Sequence, residues 1–205
     1  MIAEPPVEIV LASGNPHKAD EIQTWLQSRG HSVRVLTASK FGGMEGCEEA
    51  APDFEGNARI KVEFLRNRVS AEKWILADDS GLSVDALDGA PGVFSARFAG
   101  EGATDQQNRE LLLERMRKVS QTRRRSAQFV CVLALWRGKG SIEFYRGECK
   151  GVLLKRSMGT GGFGYDPIFS PSGSRLSFAE IDPEEKNRIS HRGRALEKLE
   201  KELTA

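Results

Sequence analysis

From Ala127 to Trp136 the chain reads Ala-Gln-Phe-Val-Cys-Val-Leu-Ala-Leu-Trp, apolar at every position but Gln128. A strand without polar alternation offers no face to water, so both of its faces must be covered by other parts of the chain. That requirement points to a sheet with helices packed around it, and the remaining periodicities supply both. Val7 to Ala12 is a short β-rich run that breaks at Ser13-Gly14. Asn15 suits a helix N-cap and Pro16 the first helical position, and Ala19, Ile22 and Leu26 then recur at helical spacing up to Gly30. A strand feeding directly into a helix opens an α/β unit.

Further along, Val33–Leu36 reads as a second strand and residues 37–52 as a polar loop carrying Glu45, Glu48 and Glu49. Asp53 caps a helix whose buried face holds Phe54, Ala58, Val62, Leu65 and Val69, with Asn57 and Lys61 four apart on another face. Trp74–Ala77 is a short apolar strand that releases Asp78 and Asp79 into a Ser80-Gly81 turn. Residues 88–103, rich in Gly, Ala and Pro, read as a loop, and Thr104-Asp105-Gln106-Gln107 fits a capping box for a helix through Lys118. After the apolar strand, Gly138-Lys139-Gly140 turns the chain into an antiparallel partner over Ser141–Arg146, and Val152–Leu154 continues the sheet. Pro167-Ile168-Phe169 follows a glycine-rich segment; Asp182-Pro183 starts a short helical turn; and Leu196, Leu199 and Leu203 mark a last helix entered at Ser190–Gly193. The fold class is therefore α/β, a long mixed sheet with flanking helices, in one domain over 1–205.

Composition narrows the partners. Thirty basic against twenty-nine acidic residues leave a formal charge of +1, which gives no field for a nucleic-acid polymer or an anionic membrane. The densest basic run, Arg115 to Arg125, carries no interleaved aromatic residues and reads as a helix end and a solvated connection. Three cysteines (Cys47, Cys131, Cys149) without a CxxC spacing make neither a disulfide framework nor a zinc site. The opening residues lack the basic and apolar regions of a secretory leader, and no apolar stretch reaches membrane-spanning length. The expectation is a reduced, cytoplasmic protein.

Three clusters besides the Asp78-Asp79 pair carry chemistry. Ser13-Gly14-Asn15-Pro16-His17-Lys18 is a strand-to-helix turn with free backbone N–H groups and a nearby lysine, suited either to an anion or simply to capping a helix. It is not a Walker A loop, which needs Gly-x-x-x-x-Gly-Lys-Ser/Thr. Gly159-Thr160-Gly161-Gly162-Phe163-Gly164 matches GxGxxG, but Tyr165-Asp166-Pro167 follows, and a proline there disfavours the helix a dinucleotide fingerprint must open. The segment reads as a loop allowing close ligand approach, with Phe163 or Tyr165 flat against a base, or as a tight turn with packed aromatics. Lys186 and Ser190-His191-Arg192-Gly193 add donors, Arg192 being able to give two parallel hydrogen bonds. Asp78 and Asp79 themselves suit a hard cation such as Mg²⁺, which binds through one or two carboxylates plus substrate phosphates, or an ordinary strand-end turn.

Read together as SGNPHK, ADDSGL, DGAPGVFSARFAG, GTGGFGYDPIF and EEKNRISHRG, these segments resemble the inosine triphosphatase family from about Ile9 to Leu199. The resemblance implies two lobes around a long mixed sheet with a nucleotide between them, a homodimer, and Mg²⁺-dependent hydrolysis of ITP, dITP and XTP to the monophosphate and pyrophosphate. It implies triphosphate binding by Ser13, Gly14, Asn15, Pro16, His17 and Lys18, with Asn57 and Lys61 near the phosphates. Glu48, or its neighbour Glu49, and Asp79 correspond to the metal ligands, Asp79 also to the general base, and Ser80 to a substrate contact. Phe163, Gly164, Tyr165, Asp166, Lys186, His191 and Arg192 correspond to the nucleoside pocket. Lys18 and Lys61 would steady charge on the phosphoryl oxygens, and Asp78 would lift the pKa of its neighbour Asp79. A Maf-type pyrophosphatase of pyrimidine or modified nucleotides shares the opening loop but not GTGGFGYDPIF followed by SHRG. A catalytically silent nucleotide-binding module would not call for Glu48, Asp79 and Lys18 together.

Overall fold

A computed structural model describes residues 6–119 and 125–203. The elements run β1 (Val7–Ala12), α1 (Pro16–Ser28), β2 (Val33–Thr37), α2 (Phe54–Arg66), β3 (Trp74–Val84), α3 (Asp105–Arg115), β4 (Ser126–Trp136), β5 (Glu143–Leu153), β6 (Phe169–Pro171), α4 (Pro183–Ile189) and α5 (His191–Leu203). The strands form one six-stranded sheet in the order β2-β1-β3-β4-β5-β6. β1 pairs parallel with β2 and with β3, whereas β5 pairs antiparallel with β6, so the sheet is mixed as expected. No helix among the described residues is long and apolar enough to cross a membrane.

The chain divides into two compact units, each assembled from separate stretches. The first comprises residues 1–79, 132–146 and 195–205; the second comprises 80–131 and 147–194. In the first unit, α1 buries Ala19, Ile22, Trp25 and Leu26, and α2 buries Phe54, Ala58, Val62 and Leu65. Fully burying a leucine or isoleucine such as Leu65 or Ile22 contributes about 1.5–3 kcal/mol, enough to fix both helices by their apolar faces. The face of α2 bearing Asn57 and Lys61 is buried as well, which amphipathic spacing alone does not require. In the second unit, Leu82, Leu112, Met116, Phe129, Leu153, Tyr165, Ile168, Phe169 and Phe178 form one apolar cluster.

Several expectations are corrected. Ser80-Gly81 does not end β3: the strand continues through Asp78, Asp79 and Ser80 to Val84. Charged residues survive inside a strand because each carboxylate has a cation of its own. β5 is a single strand where two pieces were expected, and α3 stops at Arg115 rather than Lys118. The 88–103 loop contains a 3₁₀ turn at Gly92–Arg97. In the basic run, Arg123 and Arg124 lie outside the described residues, but Arg125 is buried, not solvated. Its guanidinium donates to the carbonyls of Leu153 (2.8 Å), Leu154 (2.8 Å), Met116 (2.9 Å) and Val119 (3.0 Å). It thus ties the turn after α3 to the end of β5. The side chain of Leu203 lies outside the described residues.

Candidate active site

In the first unit, the turn after β1 is built by local side-chain bonds. Asn15 caps α1 as expected, its Oδ1 accepting the His17 N–H at 3.0 Å, while Ser13 Oγ accepts the Asn15 N–H at 3.1 Å. Gly14, Pro16 and His17 are exposed at this turn. One residue further on, Lys18 reaches from the first turn of α1 to β3, donating to Asp78 Oδ1 at 2.6 Å and to the Asp78 carbonyl at 3.3 Å.

Lys61, on α2, reaches the same carbonyl at 3.4 Å and donates to Asp79 Oδ1 at 2.5 Å. Successive strand residues point to opposite faces, and each of these two carboxylates meets a different lysine. Lys61 also pairs with Glu49 Oε2 at 3.1 Å. One buried ammonium thus bridges two carboxylates. Burial works against its charge, but Asp79 and Glu49 outweigh that and hold the Lys61 pKa above the ordinary lysine value. Burial raises the Asp79 carboxyl above its usual range, and Glu49 adds to the rise, against the pull of Lys61 and Lys18. The cause of the lifted pKa is desolvation rather than repulsion by Asp78, whose own carboxylate is occupied by Lys18.

Asp79 is only 5% exposed, and its Oδ2 is buried with no hydrogen-bond partner. A buried carboxylate oxygen without a donor is costly, and a bound cation or water relieves that cost. Among the described residues, no three His, Cys, Asp or Glu side chains cluster at metal-binding separation. Asp79 and Glu49, which share Lys61, fit an ion that takes one or two carboxylates and fills its shell from water and substrate, as Mg²⁺ does. Glu49, not Glu48, is the glutamate in contact with Lys61; Glu48 is exposed in the preceding turn. Asn57 sets this arrangement from below: its Oδ1 accepts the Ala51 N–H at 2.9 Å, tying the Glu48–Glu49 loop to α2. Its buried Nδ2 has no partner.

The second unit holds the aromatic and cationic cluster. Asp166 Oδ2 accepts from the Phe163 N–H and from Lys186 Nζ, both at 2.9 Å. Lys186 Nζ lies 5.0 Å from the centre of the Phe163 ring, and the Arg192 guanidinium carbon 5.7 Å from it. Arg192 Nη2 donates to Ser80 Oγ at 3.2 Å. His191 stacks on Phe129 with ring centres 4.6 Å apart and planes 10° from parallel. The cluster is placed by α4 and α5, which meet at Ser190; Gly193 is required there, because a Cβ would sit 1.8 Å from the Asn187 carbonyl oxygen.

Of the two aromatic candidates, Phe163 is half-buried, while Tyr165 is 5% exposed and belongs to the core. The Tyr165 hydroxyl donates to the Ser95 carbonyl at 2.8 Å, and burial raises its pKa far above the ordinary phenol value. The GxGxxG segment runs into a 3₁₀ turn at Asp166–Ile168, not a helix. Of the two glutamates the sequence leaves open, Glu49 is the one placed beside Lys61.

Comparison with known proteins shows the family. Residues 9–202 match the sequence profile of the Ham1 family. The chain is 44% identical to a dITP/XTP pyrophosphatase of Opitutus terrae, over 94% of this chain and 97% of that one. It is 42% identical to a dITP/XTP pyrophosphatase of Halalkalibacterium halodurans, over 96% and 98%. Among solved structures, a HAM1 protein from Coxiella burnetii superposes with a TM-score of 0.82 at 40% identity, covering 97% of this chain and 98% of that one.

Proposed function

The chain belongs to the Ham1 family, and from that premise we propose that it hydrolyses ITP, dITP and XTP to the monophosphate and pyrophosphate. The observation that carries the chemistry is the bridge of Lys61 between Asp79 and Glu49, beside an Asp79 oxygen that is buried and unpartnered. In this reading, Lys18, Lys61 and the turn from Ser13 to His17 take the triphosphate. Oriented cations lower the cost of charge on the phosphoryl oxygens, and positioning of this kind supplies most of the acceleration in phosphoryl transfer. Asp79 accepts the proton of the attacking water. A carboxyl desolvated by its surroundings is a stronger base than one in water, which suits that role.

Asp79 and a glutamate of the Glu48–Glu49 pair would hold Mg²⁺, which when bound supplies charge neutralisation and a template for the phosphate oxygens. The purine falls to Phe163 for stacking and to Arg192, with His191 and Lys186, for hydrogen bonding. Hypoxanthine and xanthine present a C6 carbonyl that accepts, whereas adenine presents an amino group that donates. A buried donor facing another donor is left unpaired at about 1–3 kcal/mol, or roughly ten- to a hundredfold in selectivity. A homodimer and a cytoplasmic location complete the proposal; light scattering should return twice the 22.6 kDa chain mass.

The test is pyrophosphate release by the purified chain with Mg²⁺ and ITP, XTP, dITP, GTP, ATP, UTP or dTTP. Release from ITP, dITP and XTP with little from ATP is expected. Preference for UTP or dTTP would assign the chain to pyrimidine nucleotides instead, and binding without release would remove the catalytic claim.

A further inference from the structure

Gly164 has both of its peptide groups held by one helix. Its N–H donates to Asp105 Oδ2 at 2.7 Å, and its carbonyl accepts from Arg109 Nη1 at 2.6 Å. Asp105 and Arg109 are the first and fifth residues of α3, so they lie one above the other on the same helix face. Gly164 has a φ of +57°, and a Cβ built there would meet nothing within 4 Å. The glycine is therefore required by backbone conformation, not by crowding.

A peptide group is planar, so hydrogen bonds at its N–H and C=O restrict the plane, and the Phe163 carbonyl also accepts the Asp166 N–H at 3.1 Å. The Gly164 N–H belongs to the peptide that follows Phe163, and the Phe163 N–H, held by Asp166 at 2.9 Å, belongs to the peptide that precedes it. The Gly164 carbonyl held by Arg109 belongs to the next peptide again. Three consecutive planes are pinned, and with them both backbone torsions of Phe163. The helix doing the pinning is itself anchored. Thr104 and Gln107 close a reciprocal capping box at its start. Asn108 accepts from the Ala99 N–H at 2.8 Å and donates to the Ala96 carbonyl at 3.1 Å.

From this geometry we infer that Asp105 and Arg109 are positioning residues: they clamp the Gly164 peptide groups and so set the direction of the Phe163 ring toward the purine. The inference rests on the reading of Phe163 as the purine-stacking face. Asp105 and Arg109 act through Phe163 and are not assigned contact with the nucleotide. Their removal should therefore weaken the base end of recognition and leave the phosphate end alone.

The test compares D105A, R109M, R109K and F163A with wild type by titrating IMP and, separately, tripolyphosphate, which has no base. One lost hydrogen bond of about 1.4 kcal/mol is tenfold in affinity, so D105A and R109M should each bind IMP about tenfold more weakly. Both should bind tripolyphosphate as wild type does, R109K should recover part of the loss, and the Gly164 amide should exchange faster with solvent in D105A. If D105A and R109M keep wild-type IMP affinity while F163A loses it, the clamp is refuted and the stacking role survives. If F163A also binds IMP normally, the stacking role fails and the clamp with it. Equal loss of IMP and tripolyphosphate binding would mark Asp105 and Arg109 as general structural residues, which also overturns the inference.

Discussion

Replacing Lys61 with Met removes an ammonium and keeps most of the side-chain volume, so what remains is an electrostatic deficit. Asp79, at 5% exposure, already has Oδ2 without a partner and would lose the Lys61 bond to Oδ1 as well. Glu49, its side chain 29% exposed, can turn to water and contributes little to the cost. Removing one partner of a buried pair costs about 3–5 kcal/mol, because the other charge is left uncompensated. For a chain of this length, each kcal/mol lowers the midpoint by about 2–4 °C, giving a drop on the order of 10 °C. Trp25, Trp74 and Trp136 all belong to the first unit, so tryptophan fluorescence in a urea titration reports the unit that contains the substitution. The double variant K61M/D79N removes both charges and should recover at least half of the loss. The sign with pH is also fixed. The folded-state pKa of Lys61 is raised, so its contribution is complete below the ordinary lysine value and is lost as pH rises through the folded value. The gap between wild type and K61M should therefore shrink in strong alkali, as Lys61 loses its proton. A K61M loss under about 1 kcal/mol, or a double variant no more stable than K61M, would refute the claim that Lys61 compensates a buried charge.

Three further predictions follow the same site. E49Q should weaken divalent-ion binding, measured by titration of Mn²⁺, more than E48Q does, because Glu49 is the one beside Lys61 and Asp79; the reverse order would place the ligand at Glu48. D79N should abolish pyrophosphate release from ITP while the circular-dichroism spectrum stays that of the folded chain; near-normal turnover would remove Asp79 as the base. In G162A the new Cβ would stand 2.2 Å from Asp166 Oδ2 at a φ of +68°, displacing the carboxylate that holds Lys186 and the Phe163 N–H. It should raise KM for ITP about tenfold or more, beyond the roughly 1–2 kcal/mol of left-handed strain that its stability shows; an unchanged KM would count against Asp166 as the organiser.

What could be read from the sequence was what is encoded locally. The Asn15 cap, the Thr104–Gln107 capping box and the nearly continuous apolar run of β4 each depend on residues a few positions apart, and each stands as expected. The errors come from partners distant along the chain. Asp78, Asp79 and Ser80 look like a turn until Lys18 and Lys61, 60 and 18 residues away, make them tolerable inside β3. Arg125 reads as solvated until the carbonyls of Leu153 and Leu154, 28 and 29 residues away, join those of Met116 and Val119 around it. Tyr165 and Phe163 are equivalent as sequence; only the Ser95 carbonyl and the apolar cluster send Tyr165 inward. The Gly164 clamp was invisible for the same reason, since Arg109 is 55 residues from the carbonyl it holds.

The most direct measurement is the ratio of kcat/KM for ITP over ATP in wild type and in R192K, with Mg²⁺ and pyrophosphate as the product followed. Lysine keeps the charge and loses the planar fork, so a high wild-type ratio should fall about tenfold or more while ATP turnover changes little. A wild-type ratio near one, or a ratio that R192K leaves untouched, would contradict a purine-inspecting role for this cluster.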